Sequence, residues 1–272
     1  MPEGDTVWRV ARALEGSLAG TVLTRCDLRL PALATVDLSG HRVEEVTPRG
    51  KHLLIRVDPG LTLHSHLRMD GSWRIYPLGE RWSGGPGHQI RAVLGNDRLA
   101  AVGYRVHNLA LVRRADEHTL VGHLGPDLLG PGWDLDEAVR RIRATPGRAI
   151  GDALVDQRNL AGIGNLYKSE TLFLSGVDPW LPTVAVTDVA GVVDRARRLL
   201  HANRDRVGQP TTGNTRQGQQ HWVYLRSGEP CRRCGTAVRR AEQGTRLEER
   251  ATFWCPSCQP GPGPDRAGAA TG

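Results

Sequence analysis

Lysine is almost missing from this 272-residue chain: Lys51 and Lys168 stand alone among 36 basic residues, and the rest are arginine. An ammonium can lose its proton in a mechanism and a guanidinium effectively cannot, which singles out the two lysines for inspection. Long apolar runs are missing too. Nothing approaches the roughly 20 consecutive apolar residues that cross a bilayer, which excludes a helical membrane span within the sequence. Behind Met1 there is neither a basic stretch nor an apolar core of roughly 7–15 residues, so the start does not read as an export signal. No internal repeat is present, which excludes a solenoid.

What is present points elsewhere. A content of 39% hydrophobic residues over this length supports a proper core, divided between two domains. The balance of 36 basic against 29 acidic residues leaves a net charge of +7, as an anionic partner would require, although dispersed surface charge gives the same totals. The preference for arginine, with 33 Gly and 17 Pro, is also what drift in a GC-rich genome produces.

The hydrophobic period changes three times along the chain. Val7, Val10, Leu14 and Leu18 fall at helical spacing, with Asp5 or Thr6 as N-cap and Gly20 as stop. From Thr21 to about Arg114 come short alternating segments, "TVLTRCDLRL", "KHLLIRV", "LTLHSHL", "SWRIY", "QIRAVL", "RLAAVGY" and "HNLALVR", which predict a sandwich or barrel of seven or eight strands. Helical period then returns in "DLDEAVRRIRA", "RAIGDALVDQ", "GNLYKSETLFLSG" and "TDVAGVVDRARRLLHANRDR". The polar stretch "GQPTTGNTRQGQQ" reads as a mobile loop, and "QPGPGPDRAGAATG" as a disordered tail.

Four of the five cysteines form a pattern. Cys231-x2-Cys234 and Cys255-x2-Cys258 are 20 residues apart, and each pair supplies two of the four thiolates of a tetrahedral zinc site. Two disulfides are the alternative, which the missing export signal disfavours. A closed four-thiolate set has no open coordination position, so the zinc is expected to be structural. Between the pairs the sequence reads as two strands about a Gln243-Gly244 turn. Seven arginines against four glutamates from Trp222 to Gln259 suit phosphate binding, with a protein-interaction module as the alternative. Cys26 lies in an alternating strand and reads as core.

"DQRNLAGIGNLYKSE" places Gly162 and Gly164 between two helical patterns, with Asn165 opening the second. Exposed N–H groups at a helix start form an anion site that an asparagine extends, although a Gly-x-Gly between helices also serves mere packing.

The first residues carry the sharpest chemistry. Removal of Met1 leaves Pro2 as a free secondary amine, and an α-amino group with a pKa near 7.7–8.0 is an appreciable nucleophile at neutral pH. A secondary amine and an aldehyde carbon give an iminium whose fixed charge acidifies the neighbouring carbon. On a deoxyribose, attack at C1′ expels the base, and the iminium then favours loss of the C2′ proton and elimination of the 3′ phosphate. Glu3 and Lys51 are candidate proton carriers. An ordinary terminus and an ordinary surface charge are the plain alternatives.

Together "PEGDTVWR", "RGKHLLI", "DQRNLAGIGNLYKSE" and "EPCRRC…ATFWCPSCQ" resemble the formamidopyrimidine-DNA glycosylase and endonuclease VIII family, in the family's order and over nearly the whole chain. The start and "HLRMDGSW" resemble the endonuclease VIII branch, its actinobacterial members in particular. The resemblance implies an α+β architecture: an N-terminal β-sandwich headed by a helix, then a helical helix-two-turn-helix domain with a C-terminal zinc-finger hairpin. The expected boundaries are a catalytic sandwich domain at 1–118, a DNA-binding domain at 124–210, the finger at 222–259 and the tail at 260–272.

Carried over position by position, Pro2 matches the Schiff-base nucleophile, Glu3 the proton donor, Lys51 the lysine of β-elimination and Arg250 the finger arginine of δ-elimination. Asn165 matches the phosphate-binding asparagine. Met69, with Arg68 beside it, lies where the family inserts a wedge next to the flipped nucleotide, though a methionine in a hairpin core reads the same way. Thr6 stands where some members carry glutamate.

The implied activity is that of a bifunctional glycosylase and abasic-site lyase of base excision repair, acting on oxidised pyrimidines in double- or single-stranded DNA. The chain is expected to be a monomer in the bacterial cytoplasm, at the nucleoid, with one structural zinc and no small-molecule cofactor or membrane partner. The rivals are an 8-oxoguanine glycosylase, a zinc-dependent binder of damaged DNA without catalysis, and, more distantly, a tautomerase using Pro2 as base.

Overall fold

Val7, Ala11, Leu14 and Leu18 line one face of helix α1 (Gly4–Leu18) and are buried to the last few per cent. The helix starts two or three residues earlier than the Asp5 or Thr6 cap expected, because Glu3 takes the extended N-cap conformation and its carbonyl already accepts from Val7 N–H at 3.0 Å. The structure, a computed structural model, describes residues 2–244 and 249–264 and divides into two units, Met1–His123 and Leu124–Gly272.

Eight strands follow α1 in the first unit: β1 (Arg25–Leu28), β2 (Val43–Arg49), β3 (His52–Val57), β4 (Leu61–His66), β5 (Ser72–Pro77), β6 (Ile90–Gly95), β7 (Leu99–Tyr104) and β8 (Asn108–Arg113). They form two antiparallel four-stranded sheets in the orders β1-β6-β7-β5 and β2-β3-β4-β8. Strand β2, "VEEVTPR", escapes the alternation pattern because Pro48 interrupts it. A proline is tolerated there since β2 is the edge of its sheet. The core of this unit joins the α1 face to Leu53, Ile55, Val57 and Leu63 and to Ala92, Leu94 and Ala101 from the other sheet. Cys26 packs, half-buried, against this core, and burial raises its thiol pKa. A short helix α2 (His118–Val121) ends the unit.

The second unit holds helices α3 (Leu135–Arg143), α4 (Ile150–Val155), α5 (Asn165–Ser175) and α6 (Val189–Asn203) and the hairpin β9 (Arg239–Gln243) with β10 (Arg250–Trp254). Asp134 and Asp188 cap α3 and α6 through their carboxylates, which accept from Glu137 and Gly191 N–H. Nine residues of α5 are buried, polar ones included, which marks it as the central helix. The 208–220 stretch is tied back on itself, with Thr211 and Thr212 N–H both reaching Gln220 O. Phe173, Val223, Val238 and Phe253 pack beside Cys231 and Cys255.

The finger turn departs from expectation. Gln243 is the last residue of β9, paired with Arg250, so the strands are joined by the longer segment that follows, of which 245–248 lie outside the described residues. The tail is described only as far as residue 264. No helix among the described residues is long and apolar enough to cross a membrane.

Candidate functional site

The first unit holds three groups of candidate residues, at the head of α1, in the β2–β3 turn and in the loop after β4. Glu3 is fully buried at the N-cap, with Pro2 half-buried before it, where the helix dipole is positive. Lys51 sits in the two-residue turn between β2 and β3, where Gly50 takes a φ of 58° that favours glycine. The loop from Leu67 to Gly71 presents Arg68 and Met69, and Met69 is 68% exposed. That exposure removes the hairpin-core alternative for Met69. Thr6 and Arg9 of α1 face Leu67, Gly71 and Ser72 across a cavity of about 340 Å³, so the helix head and the loop share one groove.

Between Lys51 and Arg68 lies a cluster that the sequence did not announce. His52 and His66 are register partners, and His64 is two residues from His66, so strand alternation puts all three rings on one sheet face. The His52 and His64 rings meet at 2.8 Å between Nδ1 and Nε2, and His66 and His123 stand edge-on to His52. Burial, then the neighbouring His66, His64 and His123 and Arg68, push the His52 pKa down to about 3. Burial, Arg68 and Lys51 bring His66 to about 4, and burial lowers His64. These imidazoles are therefore neutral at pH 7. His66 Nδ1 accepts the Arg68 N–H at 3.0 Å, holding the turn in which Arg68 takes a φ of 53°, and Arg68 Nε donates to Asn108 Oδ1 at 3.0 Å.

In the second unit the α4–α5 junction is built around two side chains. Gln157 donates to Val155 O and Ile163 O and accepts from Gly162 N–H. Burial raises the Asp156 carboxyl, and hydrogen bonds from Arg158 and Arg148 more than offset it, leaving its pKa below the ordinary value. Asn165 is the first residue of α5. Its Nδ2 donates to Ala251 O at 2.7 Å, while its Oδ1 is buried without a hydrogen-bond partner. Arg250, exposed at the start of β10, is therefore one residue from the contact that Asn165 makes. Glu170, a residue the sequence reading passed over, accepts N–H from Trp222, Val223 and Tyr224 at 2.8 Å each and fixes the lead into the finger.

The four cysteine sulfurs lie within 4.8 Å of one another, with Cys231–Cys258 at 3.9 Å and Cys234–Cys255 at 3.5 Å. A tetrahedral zinc with Zn–S bonds near 2.3 Å places its sulfurs about 3.8 Å apart, whereas a disulfide needs about 2.05 Å. The spacing fits a metal and excludes the disulfide alternative. Hydrogen bonds from the Thr236 side chain and backbone bring the Cys234 thiol down to about 6, so it is largely a thiolate at neutral pH. Pro2, Glu3, Lys51, Arg68 and Met69 thus belong to the first unit, and Asn165, Arg250 and the cysteines to the second.

The formamidopyrimidine-DNA glycosylase N-terminal domain model matches residues 1–106, and the formamidopyrimidine-DNA glycosylase H2TH domain model matches residues 124–203. The chain is 59% identical over 274 residues to the probable endonuclease 8 2 of Streptomyces coelicolor, covering 100% of this chain and 98% of that protein. It is 48% identical over 259 residues to the DNA-(apurinic or apyrimidinic site) lyase Nei2 of Mycolicibacterium smegmatis, covering 95% and 99%. Among solved structures, Lactococcus lactis formamidopyrimidine-DNA glycosylase bound to abasic-site DNA shares the fold, with a TM-score of 0.79 at 23% identity over 95% of this chain and 100% of that one.

Proposed function

Because the chain belongs to the formamidopyrimidine-DNA glycosylase family, we propose that it is a bifunctional DNA glycosylase and abasic-site lyase that removes oxidised pyrimidines and cuts the strand by β,δ-elimination. The observation that carries the reading is the placement of Pro2 and the fully buried Glu3 at the positive end of α1.

In this reading the Pro2 nitrogen, freed by removal of Met1, attacks C1′ of the flipped nucleotide, the C1′–N bond electrons leave with the base, and the amine proton passes to the departing base. Glu3 supplies a proton to the sugar as the ring opens. The resulting iminium draws electrons from the C2′–H bond, the 3′ phosphate departs, and Lys51 carries the proton away. Arg250 and Asn165 hold phosphates, and Arg250 assists loss of the second one. Met69 fills the gap left by the flipped nucleotide. Cys231, Cys234, Cys255 and Cys258 would hold one zinc, which supplies structure rather than chemistry because four thiolates close its coordination. The partner in this reading is damaged DNA, and the site of action is the nucleoid in the bacterial cytoplasm.

The test is to incubate the purified protein with a duplex carrying one abasic site, reduce with borohydride and map the crosslinked peptide by mass spectrometry. An adduct on Pro2, lost in Pro2→Gly or after blocking the amine, supports the reading. A zinc-loaded, Met1-free protein that binds the duplex without an adduct would make the chain a damage binder instead. Thymine glycol and 8-oxoguanine duplexes run side by side decide the base.

A further inference from the structure

Lys168 is the lysine the reaction leaves unused, and it is almost completely buried within α5. Its ammonium donates to Thr252 Oγ1 at 2.5 Å and to Gln243 Oε1 at 3.4 Å, both residues of the finger hairpin and both buried. Thr252 Oγ1 in turn donates to Gln243 Oε1 at 3.0 Å, and Gln243 Nε2 donates to Pro179 O at 2.7 Å. Gly151 of α4 completes the enclosure: a Cβ there would lie 2.4 Å from Gln243 Oε1, so only glycine leaves the carboxamide its place. Asp152, on the same helix, has its carboxyl raised by burial and drawn back by Lys168 and Arg148.

Asn165 and Lys168 are three residues apart, hence on one face of α5, and they bind neighbouring residues of β10, Ala251 and Thr252. Two rungs fix a strand's sliding position along a helix, where one fixes only a pivot. The residue placed by the pair is Arg250, next in line.

We infer that Lys168 is a positioning residue for strand cleavage, its buried ammonium setting the register of β10 so that Arg250 meets the phosphate that is lost second. The inference rests on the role proposed above for Arg250. A burial this complete is costly for an ammonium, and a methionine of similar length would pack there more cheaply if stability alone were served. What methionine cannot do is bind Thr252 and Gln243 together.

The experiment uses the full-length zinc protein and a duplex with one preformed abasic site, reading the ratio of δ- to β-elimination product and, separately, the borohydride-trapped adduct. Lys168→Met and Thr252→Val are compared with Arg250→Ala. A displacement of about 1 Å at a reacting group costs on the order of a hundredfold, so each of the first two variants is expected to lower the ratio by at least about tenfold with zinc content and trapped adduct unchanged. The double variant should do no more than either alone, since both remove one link. If Lys168→Met does not fold, Thr252→Val carries the test. A normal ratio in the folded variants, with Arg250→Ala lowering it, overturns the positioning role alone. A normal ratio in Arg250→Ala overturns the assignment of Arg250 and this inference with it.

Discussion

His52 Nδ1 and His64 Nε2 lie 2.8 Å apart across two neighbouring strands, a hydrogen bond that requires at least one ring to be neutral. Lys51 immediately precedes the first of them, and Arg68 follows the third ring of the cluster by two residues. The half-buried Lys51 and the exposed Arg68 thus flank uncharged imidazoles.

Acid should therefore loosen the first unit. The folded-state pKa values, about 3 for His52 and about 4 for His66, lie below the ordinary 6.5, so the unfolded chain takes up protons that the folded one refuses. The histidine contribution is intact above pH 6.5 and is lost as pH falls from there toward 4. At about 1.4 kcal/mol per unit, a single such ring costs roughly 2–3 kcal/mol at the low end. Denaturant unfolding between pH 7.5 and 4.5 should show the decline, and His52→Gln should flatten it. An equally steep profile in the variant would assign the loss to other groups.

Replacement of Glu170 should be among the most damaging changes in the second unit. Its carboxylate accepts three consecutive backbone N–H groups, that of Val223 fully buried, and the Thr211 hydroxyl, and Glu170→Ala removes all four bonds at once. We expect a loss of roughly 3 kcal/mol or more, measured by urea unfolding. Less than about 1 kcal/mol would mean that residues 222–224 are held by something other than this carboxylate.

Met69 separates folding from function. Because its side chain is 68% exposed, Met69→Ala should leave stability within about 0.5 kcal/mol of the parent. Release of a base-paired lesion should fall by about tenfold or more, since unstacking costs a few kcal/mol, while nicking of a preformed abasic site falls less. Equal losses on both substrates would count against a wedge.

Metal removal should be visible in tryptophan emission. Trp254, one residue before Cys255, stands edge-on to Trp180 with ring centroids 4.6 Å apart. A mercurial or strong chelator is expected to release one zinc per chain, shift the emission and abolish δ-elimination together. Release of zinc with emission unaltered would show that the hairpin holds without its staple.

How much of this could be read beforehand depends on the range of the interaction involved. Helical period exposed α1, α5 and α6, and the C-x2-C pairs exposed the metal centre, because their signals lie within a few residues of each other. Strand β2 was hidden by Pro48, which alternation treats as a breaker although an edge position accommodates it. The finger turn was misplaced because Gln243 and Gly244 look like a turn locally. Gln243 instead continues β9, where its carboxamide binds Lys168, 75 positions away in sequence. The histidine cluster had a faint signature in the alternate spacing of His64 and His66, but pairing with His52 depends on strand register, which no single segment carries.

The double attachment of β10 to α5 bears on how this protein can be divided. A peptide of residues 222–259 would carry all four thiols and could chelate zinc, yet it would leave Thr252 and Gln243 without the ammonium and Ala251 without the carboxamide that orient them. Metal affinity and arginine placement are in that sense separate inheritances, one local to the finger and one held by the helix. Grafting this finger onto another scaffold would transfer the first and forfeit the second unless α5 travelled with it.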